Sequence, residues 1–115
     1  MEKLEKTKLE MAGVNLPSGV KRFMNNEGLY EAFLLKFPSD SNMQKLRQAL
    51  QAGETTSAFR AAHTLLGMAA NLSMESLYDA LHPVTEALRG GNVTLAESHM
   101  PIVEAAYCSI IEALK

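Results

Sequence analysis

Three histidines and one cysteine are the side chains of this 115-residue chain with the widest chemical reach. Of these, His63 is the one set in a pattern. An imidazole in water titrates near ~6.5, so a histidine offers a neutral nitrogen nucleophile at cell pH. On a helical wheel at ~100° per residue, Ala58, Ala62, Leu65, Ala69 and Leu72 gather in one arc. That arc reads as a buried stripe, and its alanines permit close helix packing. His63 falls roughly 120° from the arc's centre, on the side of Thr56, Arg60, Gly67, Ala70 and Asn71. It is therefore expected to be at least partly exposed, with Phe59 and Leu66 on the shoulder between it and the core. Gly67 is the odd residue, because a glycine inside a helix costs ~1 kcal/mol relative to alanine. One turn beyond His63, it clears space above the imidazole, and Ala70 continues the low surface. Spacing alone leaves two readings open: an imidazole built to be approached by another protein, or a surface histidine beside an incidental packing glycine.

The other reactive side chains have no such setting. His82 directly precedes Pro83, and His99 stands two residues before Pro101. No Cys or His pair has zinc spacing, so no metal site is expected and structural roles fit both histidines. Cys108 lies in an apolar helical stretch, cannot form an internal disulfide and reads as a small core residue. Nothing around it argues for a lowered thiol pKa. Glu75 and Asp79 read as solvated. Met11, Met24, Met43, Met68, Met74 and Met100 read as adaptable core and edge fillers. There is no glycine-rich phosphate loop, hence no ATP site.

Composition bounds the rest. One domain is expected, and a domain of this size buries roughly two thirds of its unfolded surface without metal or disulfide staples. Hydrophobic residues make up 47% and charged residues 21%, with no tryptophan. The apolar surface is mostly Ala, Leu and Met, which favours helices. The net charge is −2, with 11 basic against 13 acidic residues and no basic stripe, which argues against nucleic acid. No run approaches the ~18 apolar residues of a membrane span. A charged N-terminus without an apolar signal core and a lone cysteine fit a cytoplasmic protein.

These residues need elements to position them. Residues 1–12 form a charged leader, possible as a helix and expected to be frayed or lightly docked. Gly13 to Gly19 reads as a loop, and Ser18 or Gly19 could open a short helix around Val20–Asn25. Asn26 is a good cap, after which Leu29, Tyr30, Phe33, Leu34 and Phe37 form one apolar face until Pro38 ends the helix. Ser39 to Asn42 offer caps for a helix carrying Met43, Leu46 and Leu50, and Gly53 suits a left-handed helix end. Thr55 or Thr56 caps the His63 helix, about 56–71. Ser73 can cap a helix from Met74 to Arg89, and Gly90-Gly91-Asn92 is a turn. The last helix runs from about Val93 to Leu114, with Thr94 and Glu97 at capping-box spacing. Pro83 and Pro101 fall inside helices, where kinks or breaks are expected. The fold class is all-α: an antiparallel up-down four-helix bundle with one or two short extra helices on the N-terminal side.

The stretch from Phe59 to Leu72, FRAAHTLLGMAANL, resembles the signature of histidine-containing phosphotransfer (HPt) domains. Ala62, His63, Leu65, Gly67, Ala69-Ala70 and Asn71-Leu72 carry the match. Val84 to Val93, Leu29 to Phe37 and Leu46 to Leu50 also look like parts of that family, so residues 13–115 read as one HPt-like domain. The resemblance implies a phosphorelay intermediate of two-component signal transduction, a phosphocarrier rather than a kinase. His63 would be the phosphoacceptor, exchanging a phosphoryl group with receiver-domain aspartates. Gly67 would grant access, Arg60 would lie one turn before His63 where its guanidinium could stabilise a phosphate, and Phe59, Thr64, Ala70 and Asn71 would form the docking surface with Leu66. No cofactor of its own is implied, the receiver supplying Mg²⁺. The partners would be response-regulator receiver domains and hybrid sensor histidine kinases, and the chain is expected to be a monomer. Two departures qualify this. Leu66 stands where the family usually has a lysine, whose charge sits near the phosphoryl group, and Ser73 stands where glycine is frequent. The alternative is an HPt-shaped interaction module that docks receivers without efficient transfer; Arg60 could compensate in part for the lysine.

Overall fold

The computed structural model describes residues 1–115 and is all helical. Seven α-helices follow in order: α1 (Lys6–Met11), α2 (Leu16–Arg22), α3 (Glu27–Lys36), α4 (Asn42–Ala52), α5 (Thr55–Asn71), α6 (Glu75–Arg89) and α7 (Val93–Ala113). A single 3-10 turn, Phe37–Ser39, joins α3 to α4 where Pro38 halts the α-helical ladder. Helices α4 to α7 pack successively against one another through short connections, which makes neighbours antiparallel. Arg47 on α4 closes the bundle onto α7: its Nε and Nη2 donate to Glu104 at 2.8 and 2.6 Å. The same guanidinium lies over the Tyr107 ring. The body is elongated, 42 × 24 × 20 Å.

The turns follow the local chemistry of the sequence. Asn26 and Asn92 accept the amides of Leu29 and Leu95, and Gly53 takes the left-handed conformation at the end of α4 (φ 69°). Several boundaries differ from expectation. Asn92 caps α7, so Thr94 and Glu97 do not. Thr55 is already helical, and Glu54 occupies the cap position of α5 without a side-chain hydrogen bond. Ser73 does not cap α6 either; it turns left-handed (φ 55°), a conformation that glycine adopts without strain. Its hydroxyl meets that of Ser18 at 3.0 Å. Helices α6 and α7 run unbroken through Pro83 and Pro101.

The N-terminal third departs most from the sequence reading. The helix expected at 20–25 starts at Leu16 instead, capped by Asn15 with Pro17 in its first turn, where a missing N–H costs nothing. The leader is docked rather than frayed: Leu4 and Leu9 belong to the same buried core as the bundle. Glu31, itself buried, accepts the amides of Lys3 and Leu4, each at 2.9 Å. The segment after α1 is stitched to the α5–α6 turn: the Asn15 amide donates to the Ser73 carbonyl at 2.8 Å, and the Ser76 hydroxyl to the Ala12 carbonyl at 2.8 Å. The apolar face expected of α3 is split. Tyr30, Leu34 and Phe37 are buried, but Leu29 and Phe33 are each 45% exposed. Cys108 is exposed rather than in the core, and so are Met11 and Met24, whereas Met43 and Met74 are fully buried.

Candidate functional site

Helix α5 is laid out as its wheel requires. Ala58, Ala61, Ala62, Leu65 and Ala69 are buried, and Leu72 follows them into the core at the helix end. The opposite face carries His63, exposed, with Arg60, Thr64, Gly67 and Asn71 also exposed. Phe59 and Leu66 are half-buried and pack on the edge of the core. The rings of Phe59 and His63 lie 5.6 Å apart, centroid to centroid, tilted by 31°. This (i, i+4) pair limits the freedom of the imidazole without covering it.

Gly67 stands one turn beyond. A Cβ built on it would meet nothing within 4 Å. No packing within the chain therefore asks for glycine here, and the reading of Gly67 as a packing residue falls away. What remains is a strip of bare helix backbone next to an exposed imidazole.

The two flanks of His63 differ. Toward α4, Arg60 and Thr64 line a shallow polar groove of about 390 Å³ with Lys45, Gln48, Glu54 and Ser57. Toward α6, Phe59 and Leu66 form an apolar shoulder, and Arg89 from the last turn of α6 lays its guanidinium over the Phe59 ring, 5.0 Å from the centroid. Arg89 is otherwise held only through its Nε, 3.1 Å from a Glu86 carboxylate oxygen. Further along α5 the surface divides. Ala70 borders a depression with Arg22, Tyr78 and Asp79. Asn71 sits on the rim of an apolar cleft of about 580 Å³ lined by Phe23, Phe33, Phe37 and Met68.

The structure thus gathers His63, Phe59, Leu66 and Gly67 on one surface and sends Arg60 and Thr64 into a neighbouring groove. Ala70 and Asn71 lie farther along the same helix, on separate hollows. The helical wheel of α5 does not reveal Arg89 or Lys45, which come from other helices. A signal for Arg89 did exist. In an antiparallel pair, residues equidistant from the turn come together, and Phe59 lies fourteen positions before Ser73 while Arg89 lies sixteen after it.

No group of three or more Cys, His, Asp or Glu side chains is placed to hold a metal ion. No helix is long and apolar enough to cross a membrane. The family model of the Hpt domain matches residues 30–115. No curated protein and no solved structure matches the chain significantly.

Proposed function

We propose that this chain, which belongs to the Hpt domain family, accepts and returns a phosphoryl group on His63. Histidine phosphotransfer in two-component signalling is the work of the family, and its members are phosphocarriers rather than kinases. The observation that carries the assignment to His63 is its exposure beside Gly67, where a side chain would meet only open space. A receiver domain can bring an aspartyl phosphate flat against such a surface.

In the forward step the unprotonated ring nitrogen of His63 attacks the phosphorus of the aspartyl phosphate. An N–P bond forms, the P–O bond to the aspartate breaks, and the carboxylate leaves with the bonding electrons. The proton on the other ring nitrogen stays on the phosphoimidazole or passes to water. Return of the group to a second aspartate reverses these changes. Phosphoryl transfer asks mainly for alignment and charge stabilisation. The chain supplies alignment through a rigid helix and the Phe59 ring; the receiver supplies the aspartate and Mg²⁺. Response-regulator receivers and hybrid sensor kinases are the partners this chemistry fits, and the chain itself needs no cofactor for it.

The test is labelling by a phosphorylated receiver domain with Mg²⁺. The product is acid-labile and alkali-stable, and His63→Gln abolishes it without altering the circular dichroism spectrum. A His63→Gln protein that labels like wild type refutes the assignment.

Leu66 favours a second reading, in which the chain docks receivers but transfers slowly because the family lysine is absent. Leu66→Lys separates the two. A variant that transfers many times faster while binding the receiver equally well supports a docking module; an unchanged rate supports the carrier.

A further inference from the structure

On the reading of His63 as phosphoacceptor, we infer that Arg89, at the end of α6, is the cation that faces the phosphoryl group and fills the role left vacant at Leu66. The argument starts from sides. Helical spacing puts Leu66 and Phe59 on the same shoulder of α5, and Phe59 meets Arg89 of α6 there. A lysine at position 66 would have projected its charge from that shoulder. Arg89 brings a guanidinium to it from the neighbouring helix, stacked on Phe59, whose ring in turn lies against His63. Phe59 is thus a platform shared by the cation and the nucleophile.

The guanidinium is equipped for the task. It carries five N–H donors, of which the Nε–H is engaged by Glu86. Its side chain is 56% exposed, so it can swing toward a phosphate at the cost of no more than its contact with the Phe59 ring. A guanidinium matches phosphate oxygens in a bidentate fork, and such charge-assisted bonds are about twice as strong as neutral ones. Arg60, the other nearby cation, lines the polar groove on the α4 side with Lys45 and Glu54. It is placed on the flank opposite to the missing lysine.

Phosphoramidate, a small phosphoryl donor that needs no partner protein, tests this on the full chain. Transfer moves its phosphoryl group to a ring nitrogen of His63 and releases ammonia. The labelling rate and the half-life of the phosphohistidine are followed for wild type, Arg89→Gln, Arg89→Lys and Arg60→Gln. Arg89→Gln keeps a planar, polar end group, and its thermal melt checks the fold. The expected result is labelling roughly tenfold slower for Arg89→Gln, most of the rate retained in Arg89→Lys, and less than a twofold change in Arg60→Gln. The wild-type rate should also fall with added salt more steeply than that of Arg89→Gln, which a structural role would not produce. Equal rates for wild type and Arg89→Gln overturn the inference and leave His63 as acceptor standing. A larger loss in Arg60→Gln than in Arg89→Gln also overturns it. A wild-type protein that takes no label at His63 overturns both.

Discussion

Two helical glycines show how differently the two halves of this molecule use the same residue. Gly19 in α2 is buried, and a Cβ there would run into the Tyr30 ring. Tyr30 is itself fully buried, and its hydroxyl donates to the Leu72 carbonyl at 2.6 Å. Burial pushes the phenol pKa up to about 12, so the hydroxyl stays protonated and the bond is kept across the ordinary pH range. Gly19 is thus a structural device: it lets α2 close over Tyr30, which ties α3 to the end of α5. Gly67 is exposed, and a Cβ there would touch nothing. The first glycine is required by the chain's own packing. The second meets no such demand within the chain, which fits the access role proposed for it. A glycine's cost, set against what its missing Cβ would strike, separates fold from function.

The largest effect that would break this contrast is on chemistry. His63→Gln should remove all phosphoryl labelling and shift the melting temperature by less than ~2 °C, because exposed substitutions usually fall within about ±0.5 kcal/mol. Loss of stability together with loss of labelling would mean that His63 belongs to the fold.

Next comes Gly19→Ala. The added methyl forces Tyr30 aside or opens α2, and overpacking typically costs 1–3 kcal/mol. Breaking the buried hydrogen bond of Tyr30 adds about 1 kcal/mol or more. A melting temperature lower by roughly 10 °C is expected from these sums, read by calorimetry. Gly67→Ala should do the reverse. In an unobstructed helical position alanine stabilises by up to ~1 kcal/mol, so the melting temperature should rise by a few degrees. Transfer from a receiver should meanwhile slow severalfold, because the new methyl stands in the partner's path. If Gly67→Ala speeds or leaves transfer unchanged, the bare backbone is not an access strip.

The His63 surface was legible in the sequence because a single helix carries it. A period of 3.6 residues fixes the angle between His63 and the alanine stripe, and no tertiary contact is needed to work it out. The long helices of the bundle were legible for the same reason. What stayed hidden depends on contacts distant in sequence. Phe33 looked buried because it shares a spacing pattern with Tyr30 and Leu34, yet the α2 segment leaves its ring on the rim of a cleft, 5.3 Å from Phe23. Position 16 reads as loop when Pro17 is treated as a breaker, whereas in the first turn proline is compatible with a helix. Charge hid the docking of the leader. Leu4 and Leu9 are outnumbered by the charged residues around them, and the group that holds the amide of Leu4, Glu31, lies more than twenty positions away.

That clasp gives the smallest effect and the sharpest control for the comparison, since it belongs to the fold and should leave the chemistry alone. Burial works to raise the Glu31 pKa, but the amides of Lys3 and Leu4 together with the amino terminus outweigh it, and the net shift is downward. A carboxylate whose folded pKa is depressed contributes stability above its unfolded pKa of ~4.3 and loses it as pH falls through the lower folded value. The clasp is therefore at full strength at neutral pH and weakens only below the ordinary glutamate range. Glu31→Gln should lower the melting temperature slightly at pH 7 and leave the two proteins closer together at pH 3. Phosphoramidate labelling of His63 at pH 7 should not change, because Glu31 holds the leader and is no neighbour of the imidazole. A drop in labelling equal to that of Arg89→Gln would show that the N-terminal third and the outer face of α5 are coupled, and the division drawn from the two glycines would have to be abandoned.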